Sequence, residues 1–325
     1  MHFGLTDEAL ALREGVRDVL AKACTPDVVR ASWTDDTVTS RLWSQLGELG
    51  LLGLLVPEGD GGLGLTELVA VAALEEAGWA GVPGPLVETV AFAPLLVGTA
   101  ALDDVLAGRA RTTVQRSDGP VPGAAVAELV VQVHGGVDGV RLLHRGDAVV
   151  TPVETVDASR QAALVSGVGE PLTGDALLAL LRGTLGTAAF LLGLARRQLD
   201  LTVAYVSDRR QFGVPVGSFQ AVKHPLADAA VGTELAWPTV LRAAHSLATD
   251  DADAAVHVSA AKALASDAAY SVSRACLQAH GAMAYTVEYD LHLFAKRTWA
   301  LARDWGSSTE HRAVIADHLR LEEHR

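Results

Sequence analysis

The stretch RRQFGVPVGSFQ, residues 209–220, separates two long helical patterns. Apolar residues recur at the helical period on both sides of it, whereas glycine and proline within it interrupt that period. Long helices joined by so short a break pack most simply side by side in an antiparallel bundle. The helical patterns of this half of the chain cover residues 173–210, 218–248, 252–279, 289–302 and 309–321.

The chemistry of this stretch admits two interpretations. Arg209 and Arg210 end the first helix, the chain breaks at Gly213 and Pro215, and Ser218 is a potential N-cap of the next helix. Cations at a helix C-terminus match the helix dipole, so a plain helix hairpin accounts for these residues. The alternative is a pyrophosphate site, because the free N–H groups of a new helix beside two cations suit an anion.

Toward the N-terminus, a region of short strands separates the bundle from further helices. Helices are predicted for residues 6–23 and 38–49, and a third runs from the N-cap Thr66 to Gly78, which is expected to end it. Between about 106 and 163, β-branched runs broken by glycine, aspartate and proline predict a small sheet. We therefore expect a mainly α protein with an N-terminal helical domain (1–105), a reduced β domain (106–172) and a C-terminal four-helix bundle (173–325).

The composition disfavours several classes of function. Lysine and arginine number 26 against 39 aspartates and glutamates, and this net charge of −13 argues against nucleic acid and anionic membranes as partners. The two cysteines form neither a disulfide framework nor a zinc motif, and the 11 histidines form no H-E-x-x-H pair, so we expect no metal site. The sequence opens without an apolar signal segment, which predicts a reducing, cytoplasmic location.

Gly59, Gly61 and Gly64 have the G-x-G-x-x-G spacing of a dinucleotide-binding fingerprint. Pro57 and Glu58 separate these glycines from the preceding apolar run, and no alternation of strands and helices follows them. A structural loop between two helices is therefore the preferred interpretation, and a dinucleotide-binding fold is a distant alternative.

The segment 209–220 also resembles a hairpin motif of the acyl-CoA dehydrogenase family, R-x-x-F-G continued by phenylalanine and glutamine. A second hairpin resembles the family's Q-x-x-G-G followed by glutamate, with Ala282 in place of one glycine, and VPEGDGGLGL resembles its first domain. The resemblance implies a helical domain, a β domain and a four-helix bundle in that order. It also implies a flavin that oxidises the Cα–Cβ bond of an acyl-CoA while a carboxylate takes the α proton. The matching residues are Arg209, Phe212, Gly213, Phe219, Gln220, Gln278, Gly281 and Glu288.

The sequence departs from this family at the flavin and base positions. Nothing between residues 93 and 173 resembles its T-E-P-x-x-G-S-D flavin loop, and the β region is short. Trp305 stands at the usual position of the base, where it is expected to fill the vacated space, and Gly183 stands at the position that other members use. Asp304 is the nearest substitute, but one residue turns a helical side chain by about 100°. The resemblance therefore assigns this chain no catalytic residue.

In the family, the retained motifs reach across a subunit interface to a neighbour's flavin. The resemblance thus implies the short β subunit of an α2β2 steroid-degrading acyl-CoA dehydrogenase, which shares FAD with a full-length α subunit that supplies the base and binds the acyl-CoA. Two alternatives stay open: an active homomer with Asp304 as base, and a flavin-free assembly or regulatory protein of the same fold. The expected cofactor-binding residues are Arg209, Gln211, Phe212, Phe219, Gln220, Gln278, Gly281, Ser307 and Thr309.

Overall fold

The N-terminal third of the protein is helical in the computed structural model, which describes residues 5–133 and 139–319. Thr6 begins the first helix by accepting a hydrogen bond from the Ala9 N–H at 3.2 Å, and Asp7 and Glu8 occupy the first turn, where they suit the helix dipole. The helices are α1 Asp7–Ala23, α2 Pro26–Ala31, α3 Asp36–Glu48, α4 Glu67–Ala80, α5 Leu86–Phe92 and α6 Leu102–Leu106.

Helix α4 is longer than the sequence predicts. Gly78 lies inside it, and Gly81, at a φ of 71°, ends it. The prediction that Gly78 ends the helix was wrong. Glycine is required there because α4 closely crosses the long helix Ala176–Asp208, not because the backbone has a positive φ. A Cβ at this position would lie 2.1 Å from the carbonyl oxygen of Phe190. Thr66 occupies the N-cap position, although its side chain makes no capping hydrogen bond to a described residue.

The glycine-rich segment before α4 is a loop. The Gly64 N–H donates to the Val56 carbonyl at 2.8 Å, which folds the segment back on the preceding turn. A short 3-10 turn at Leu51–Gly53 lies within the apolar run and another at Glu58–Asp60 follows it, so no strand leads into these glycines in this described stretch. The interpretation as a structural loop is confirmed, and the dinucleotide-binding alternative was wrong.

Six strands of the described chain form two small sheets after α6. The first has the order β1-β2-β3-β6 with a parallel β1–β2 pair, and β4 and β5 form a separate antiparallel ribbon. Thr89 of α5 joins the first sheet to the N-terminal helices, since its hydroxyl donates to the Thr112 carbonyl at 2.9 Å. The strands are β1 Thr112–Gln115, β2 Leu129–Val133, β3 Val140–His144, β4 Val149–Pro152, β5 Ala163–Ser166 and β6 Glu170–Pro171.

Long helices form the C-terminal part, as the sequence predicts. The first of them, α7, is central and packs against α4 and against the three helices that follow it. The predicted end of the last helix, Leu321, lies outside the described residues. The elements are α7 Ala176–Asp208, β7 Arg210–Gln211, β8 Val214–Pro215, α8 Gln220–Ala248, α9 Ala254–His280, α10 Leu291–Arg303 and α11 Ser308–His318.

Helix α7 is long and apolar enough to cross a membrane by length and composition. However, 67% of its most apolar window is buried inside the protein, as expected for the central helix of a packed bundle. The mainly α fold class is therefore confirmed, whereas the exact domain boundaries at 105 and 172 stay predictions.

Candidate functional site

Trp305 fills the position at which a catalytic base is expected. It follows Asp304, the C-cap of α10, is 5% exposed and has a φ of 58°. Its indole packs so closely against Gly183 of α7 that a Cβ on that glycine would lie 2.3 Å from the ring, and the Arg116 guanidinium lies 4.1 Å from the ring centroid. The two candidate base positions are therefore in contact, and neither carries a carboxylate. The packing role predicted for Trp305 is confirmed.

Asp304, the alternative base, belongs to a buried ion network. Its carboxylate accepts hydrogen bonds from Arg116 and Arg160 of the β region and, at 2.9 Å, from the Trp305 N–H. Burial alone would raise the pKa of Asp304, but the two guanidinium groups hold that pKa below its usual range. A carboxylate kept ionised by two arginines is a weak proton acceptor, which argues against a role as base.

Glu88 is a further carboxyl group near Asp304 and Arg160, at the junction between the helices and the β region, and sequence reasoning missed it. It lies in the first turn of α5 and is 8% exposed. Burial raises the pKa of Glu88, and the neighbouring Asp304 carboxylate raises it further. The available signal was a lone acidic residue in the apolar run GPLVETVAF, residues 84–92. An unpaired charge in such a run is expected to find a partner elsewhere in the fold.

This junction does not fit the ring of the flavin that the family resemblance implies. Glu88, Arg160 and Arg297 line a small cavity of about 10 Å³, which is room for one water molecule at most. Arg297, which lines this cavity, also forms a buried ion pair with Asp157 at 3.1 Å. Side chains of the chain itself therefore occupy this junction, and the Trp305 indole packs against Gly183 and Arg116 beside it.

The hairpin between α7 and α8 presents aromatic rings to solvent. Strands β7 and β8 are joined by a two-residue turn, Phe212 at a φ of 52° and Gly213 at a φ of 82°, as in a type I′ turn. Phe212 is 92% exposed, and its ring meets that of Phe219 edge-on with 6.3 Å between centroids. A phenylalanine at positive φ is strained, and strain with exposed aromatic surface is typical of a binding site.

Arg209 and the N-terminus of α8 lie at the base of this hairpin. The exposed Arg209 is the C-cap of α7, and its carbonyl accepts a hydrogen bond from the Val216 N–H at 2.8 Å. No side chain in the described parts of the chain caps α8. The prediction of Ser218 as N-cap was wrong, because it lies in a 3-10 turn where its hydroxyl donates to the Pro215 carbonyl at 2.7 Å. Uncapped N–H groups beside a guanidinium suit a pyrophosphate.

The end of α9 lies at the same end of the bundle. The His280 ring stacks on Tyr205 of α7 with 4.3 Å between centroids, and Tyr289 packs against both rings. This stack holds the second hairpin beside the first. The structure thus brings seven of the predicted residues to one end of the bundle, all of them exposed: Arg209, Gln211, Phe212, Phe219, Gln220, Gln278 and Gly281.

Ser307 and Thr309 lie away from this end, beside the middle of α9, where Ser308 between them donates to the Asp267 carboxylate at 2.6 Å. Lys262, in the first half of α9, donates to the carbonyl directly before Ser307 at 3.0 Å, whereas Gln278 is near the end of the same helix, about 24 Å from Lys262 along the helix axis. Ser307 caps α11, since its hydroxyl accepts from the Glu310 N–H at 3.4 Å and its own N–H donates to the Glu310 carboxylate at 2.7 Å. The structure therefore separates these two residues from the other seven.

Family models match most of the chain. The model of the acyl-CoA dehydrogenase N-terminal domain matches residues 6–103, and that of the acyl-CoA dehydrogenase C-terminal domain matches residues 174–320. The chain belongs to the acyl-CoA dehydrogenase family. The resemblance inferred from the two hairpin motifs is thereby confirmed. Members of this family bind FAD, and family membership supports the class of oxidoreductases that act on CH–CH bonds.

Relatives from this family match the chain over nearly its full length. The acyl-CoA dehydrogenase IpdE2 of Mycolicibacterium smegmatis is 35% identical over 317 residues, which is 94% of this chain and 97% of IpdE2. A structure of the Tcur3481-Tcur3483 steroid ACAD has a TM-score of 0.86 and 26% identity, covering 98% of this chain and 99% of that one. The ChsE4-ChsE5 complex of Mycobacterium tuberculosis has a TM-score of 0.84 and 24% identity over 98% and 99%, which shows the fold alone.

Proposed function

We propose that this chain is the non-catalytic β subunit of a heteromeric acyl-CoA dehydrogenase and completes the FAD site of a full-length α subunit. The contact between Trp305 and Gly183 carries the proposal, because it fills both candidate base positions with apolar atoms. The neighbouring carboxylate of Asp304 is bound to two arginines. A partner must therefore supply the catalytic base and the pocket of the flavin ring.

The seven exposed residues at the end of the bundle would hold the partner's cofactor. The Arg209 guanidinium would donate charge-assisted hydrogen bonds to the pyrophosphate, together with the N–H groups in the first turn of α8. The rings of Phe212 and Phe219 would pack at the adenosine end. When bound, FAD accepts the β hydride of the acyl-CoA. The amides of Gln211, Gln220 and Gln278 would bond to polar edges of the adenosine, and Gly281 leaves room for it.

Ser307 and Thr309 form a separate part of this proposal. Because they lie beside the middle of α9 and away from the hairpin, they would contact a different FAD molecule from the one that Arg209 meets. Thr309 is exposed, whereas the hydroxyl of Ser307 is already bonded to Glu310. The Thr309→Ala variant therefore tests this second contact independently of the first.

We further propose a bulky, steroid-derived acyl-CoA as the partner's substrate and α2β2 as the assembly. The support is the similarity to a structure named a steroid ACAD, whose name joins two components, and the likeness in fold to the two-component ChsE4-ChsE5 complex. Cys24 and Cys276 are both buried and free, which agrees with a reducing, cytoplasmic location.

Flavin content tests the proposal directly. The chain would be produced alone and together with a full-length acyl-CoA dehydrogenase encoded beside its gene, and flavin absorbance would be measured per chain. We expect no bound flavin in the chain alone and a flavin-loaded complex with the partner. A full complement of flavin in the chain alone would refute the division of labour between the subunits.

Arg209→Ala and Arg210→Ala are a matched pair of variants. Both arginines are exposed neighbours at the same hairpin, but only Arg209 belongs to the motif. In the complex, we expect Arg209→Ala to lower flavin occupancy while the mass of the complex stays the same, and Arg210→Ala to retain the flavin. If Arg209→Ala leaves the flavin content of the complex unchanged, this would favour an assembly role in which the chain binds no flavin. Turnover without the partner would favour an active homomer.

A further inference from the structure

An apolar groove lies between α7 and α8, next to the hairpin. Its volume is about 480 Å³. Val206 and Leu226, which are 4% and 8% exposed, are the most buried of its lining residues, and Val203 is 53% exposed. Among the described residues that line it, Lys223 is the one charged side chain and Ser207 the one side-chain hydroxyl. Its size and apolar character are those of a recognition site.

A stripe of exposed apolar residues on α8 continues the groove. Ala227, Val231 and Leu235 recur at intervals of four, so they lie on one face of the helix. Val231 is 55% exposed and Leu235 is 69% exposed. Ala227 also lines the groove, so groove and stripe form one surface, the α7–α8 face. The stripe adds about 12 Å of helix to the groove, which suits an elongated occupant.

The α7–α8 face is continuous with the hairpin that we propose meets the partner's cofactor. Pro215 and Gly217 belong to the hairpin and also line the groove. Exposed apolar side chains therefore occur at the hairpin (Phe212), in the groove (Val203) and on the stripe (Leu235). Contiguous apolar surface of this extent on a water-soluble fold is typical of a protein interface.

We propose that the α7–α8 face binds an amphipathic helix of the α subunit, an inference that rests on the proposed function. The helix carries apolar residues at helical spacing and a carboxylate opposite Lys223. Asp228 and Glu234 are exposed on α8 beside the stripe, so the helix carries lysine or arginine along its flanks. The hairpin thus contacts the cofactor, and the α7–α8 face supplies the binding of the subunit itself.

Charge introduced into the stripe tests this inference. The variants are Val231→Asp and Leu235→Asp, and the control is Val168→Asp, which changes a residue of the β region that is 77% exposed. All three sites are exposed, so the chain is expected to fold, which far-UV circular dichroism checks. The dissociation constant of the αβ complex would be measured with a labelled α subunit. We expect the stripe variants to weaken binding at least about tenfold and the control to change it by less than about twofold.

The outcomes separate this inference from the proposed function. Flavin-loaded complexes that assemble equally well with both stripe variants would overturn the α7–α8 face and leave the function in place. A complex that depends on the stripe but contains no flavin would support the face and refute the function. Sedimentation of the chain alone tests whether a second copy of this chain occupies the face. A dimer that Leu235→Asp abolishes would assign the face to that second copy and overturn the proposal.

Discussion

Replacement of Asp304 by asparagine should destabilise the protein strongly, because it leaves two arginines without their carboxylate. The side chains of Asp304, Arg160 and Arg116 are 11%, 13% and 31% exposed. Removal of one partner from a buried ion pair costs about 3–5 kcal/mol. Since Arg116 is partly exposed and contributes less, we expect about 3 kcal/mol. An unfolding entropy near 2 cal/mol/K per residue gives about 0.7 kcal/mol/K for 325 residues, so Tm should fall by about 4 °C.

Calorimetry and urea unfolding of the Asp304→Asn variant would measure this loss. Asp27→Asn is the control, because Asp27 is 94% exposed in its pair with Arg30 and should contribute less than about 1 kcal/mol. A Tm of the Asp304→Asn variant within 1 °C of the wild type, on the order of the control's effect, would refute the reasoning. It would mean that water replaces the lost carboxylate at no cost.

The difference in stability between the wild type and Asp304→Asn should depend on pH, and the direction of that dependence follows from the pKa of Asp304. The pKa of Asp304 is lower in the folded protein than its ordinary value of 3.8. The stability that its ionisation contributes is therefore fully present above pH 3.8 and is lost as the pH falls through the folded-state pKa. The gap in stability between wild type and Asp304→Asn should shrink on acidification below that pH, and an unchanged gap would contradict the assignment.

Three further variants test the same junction. Glu88→Gln should stabilise the protein at neutral pH, because the raised pKa of Glu88 means that folding disfavours its ionised form above pH 4.5; equal urea midpoints at pH 7 would contradict this. Gly183→Ala should cost about 1–3 kcal/mol through its clash with the indole, and Trp305→Leu in the same chain should recover part of that loss in thermal melts. Burial lowers the pKa of Lys262 to about 8, so stability should rise from pH 8 toward 10 in the wild type and stay flatter in Lys262→Met, as followed by urea unfolding.

Local sequence patterns predicted most helices and both hairpins. They failed where one residue type could serve either of two structural roles. Gly78 resembled a helix stop, but the crossing with Phe190 is the reason for that glycine. Ser218 resembled an N-cap, but a 3-10 turn places it one residue before the N-cap position, which Phe219 occupies without a side-chain hydrogen bond. In both cases the residue type suited a helix-end role, but the surrounding structure gives that role to another residue: Gly81 ends α4, and Phe219 is the N-cap of α8.

The candidate site was predictable only in part. The exposed residues of the 209–220 hairpin were found because their spacing matches a family motif. Glu88 was not found, because a single glutamate in an apolar run does not reveal which arginine it will face. The wide separation of Ser307 from Gln278 was also missed, because it follows from the direction of α9 in the bundle and not from residue spacing.

The sequence by itself determined the family, the order of helices and strands, and the absence of a carboxylate at Gly183 and Trp305, because residue identity and spacing are sufficient for each. Only the tertiary structure decided that these two positions touch. It likewise decided that Asp304 meets Arg160 and Arg116, which are 144 and 188 positions away. Such contacts depend on how helices and sheet pack around one junction, and packing is a property of the folded chain as a whole.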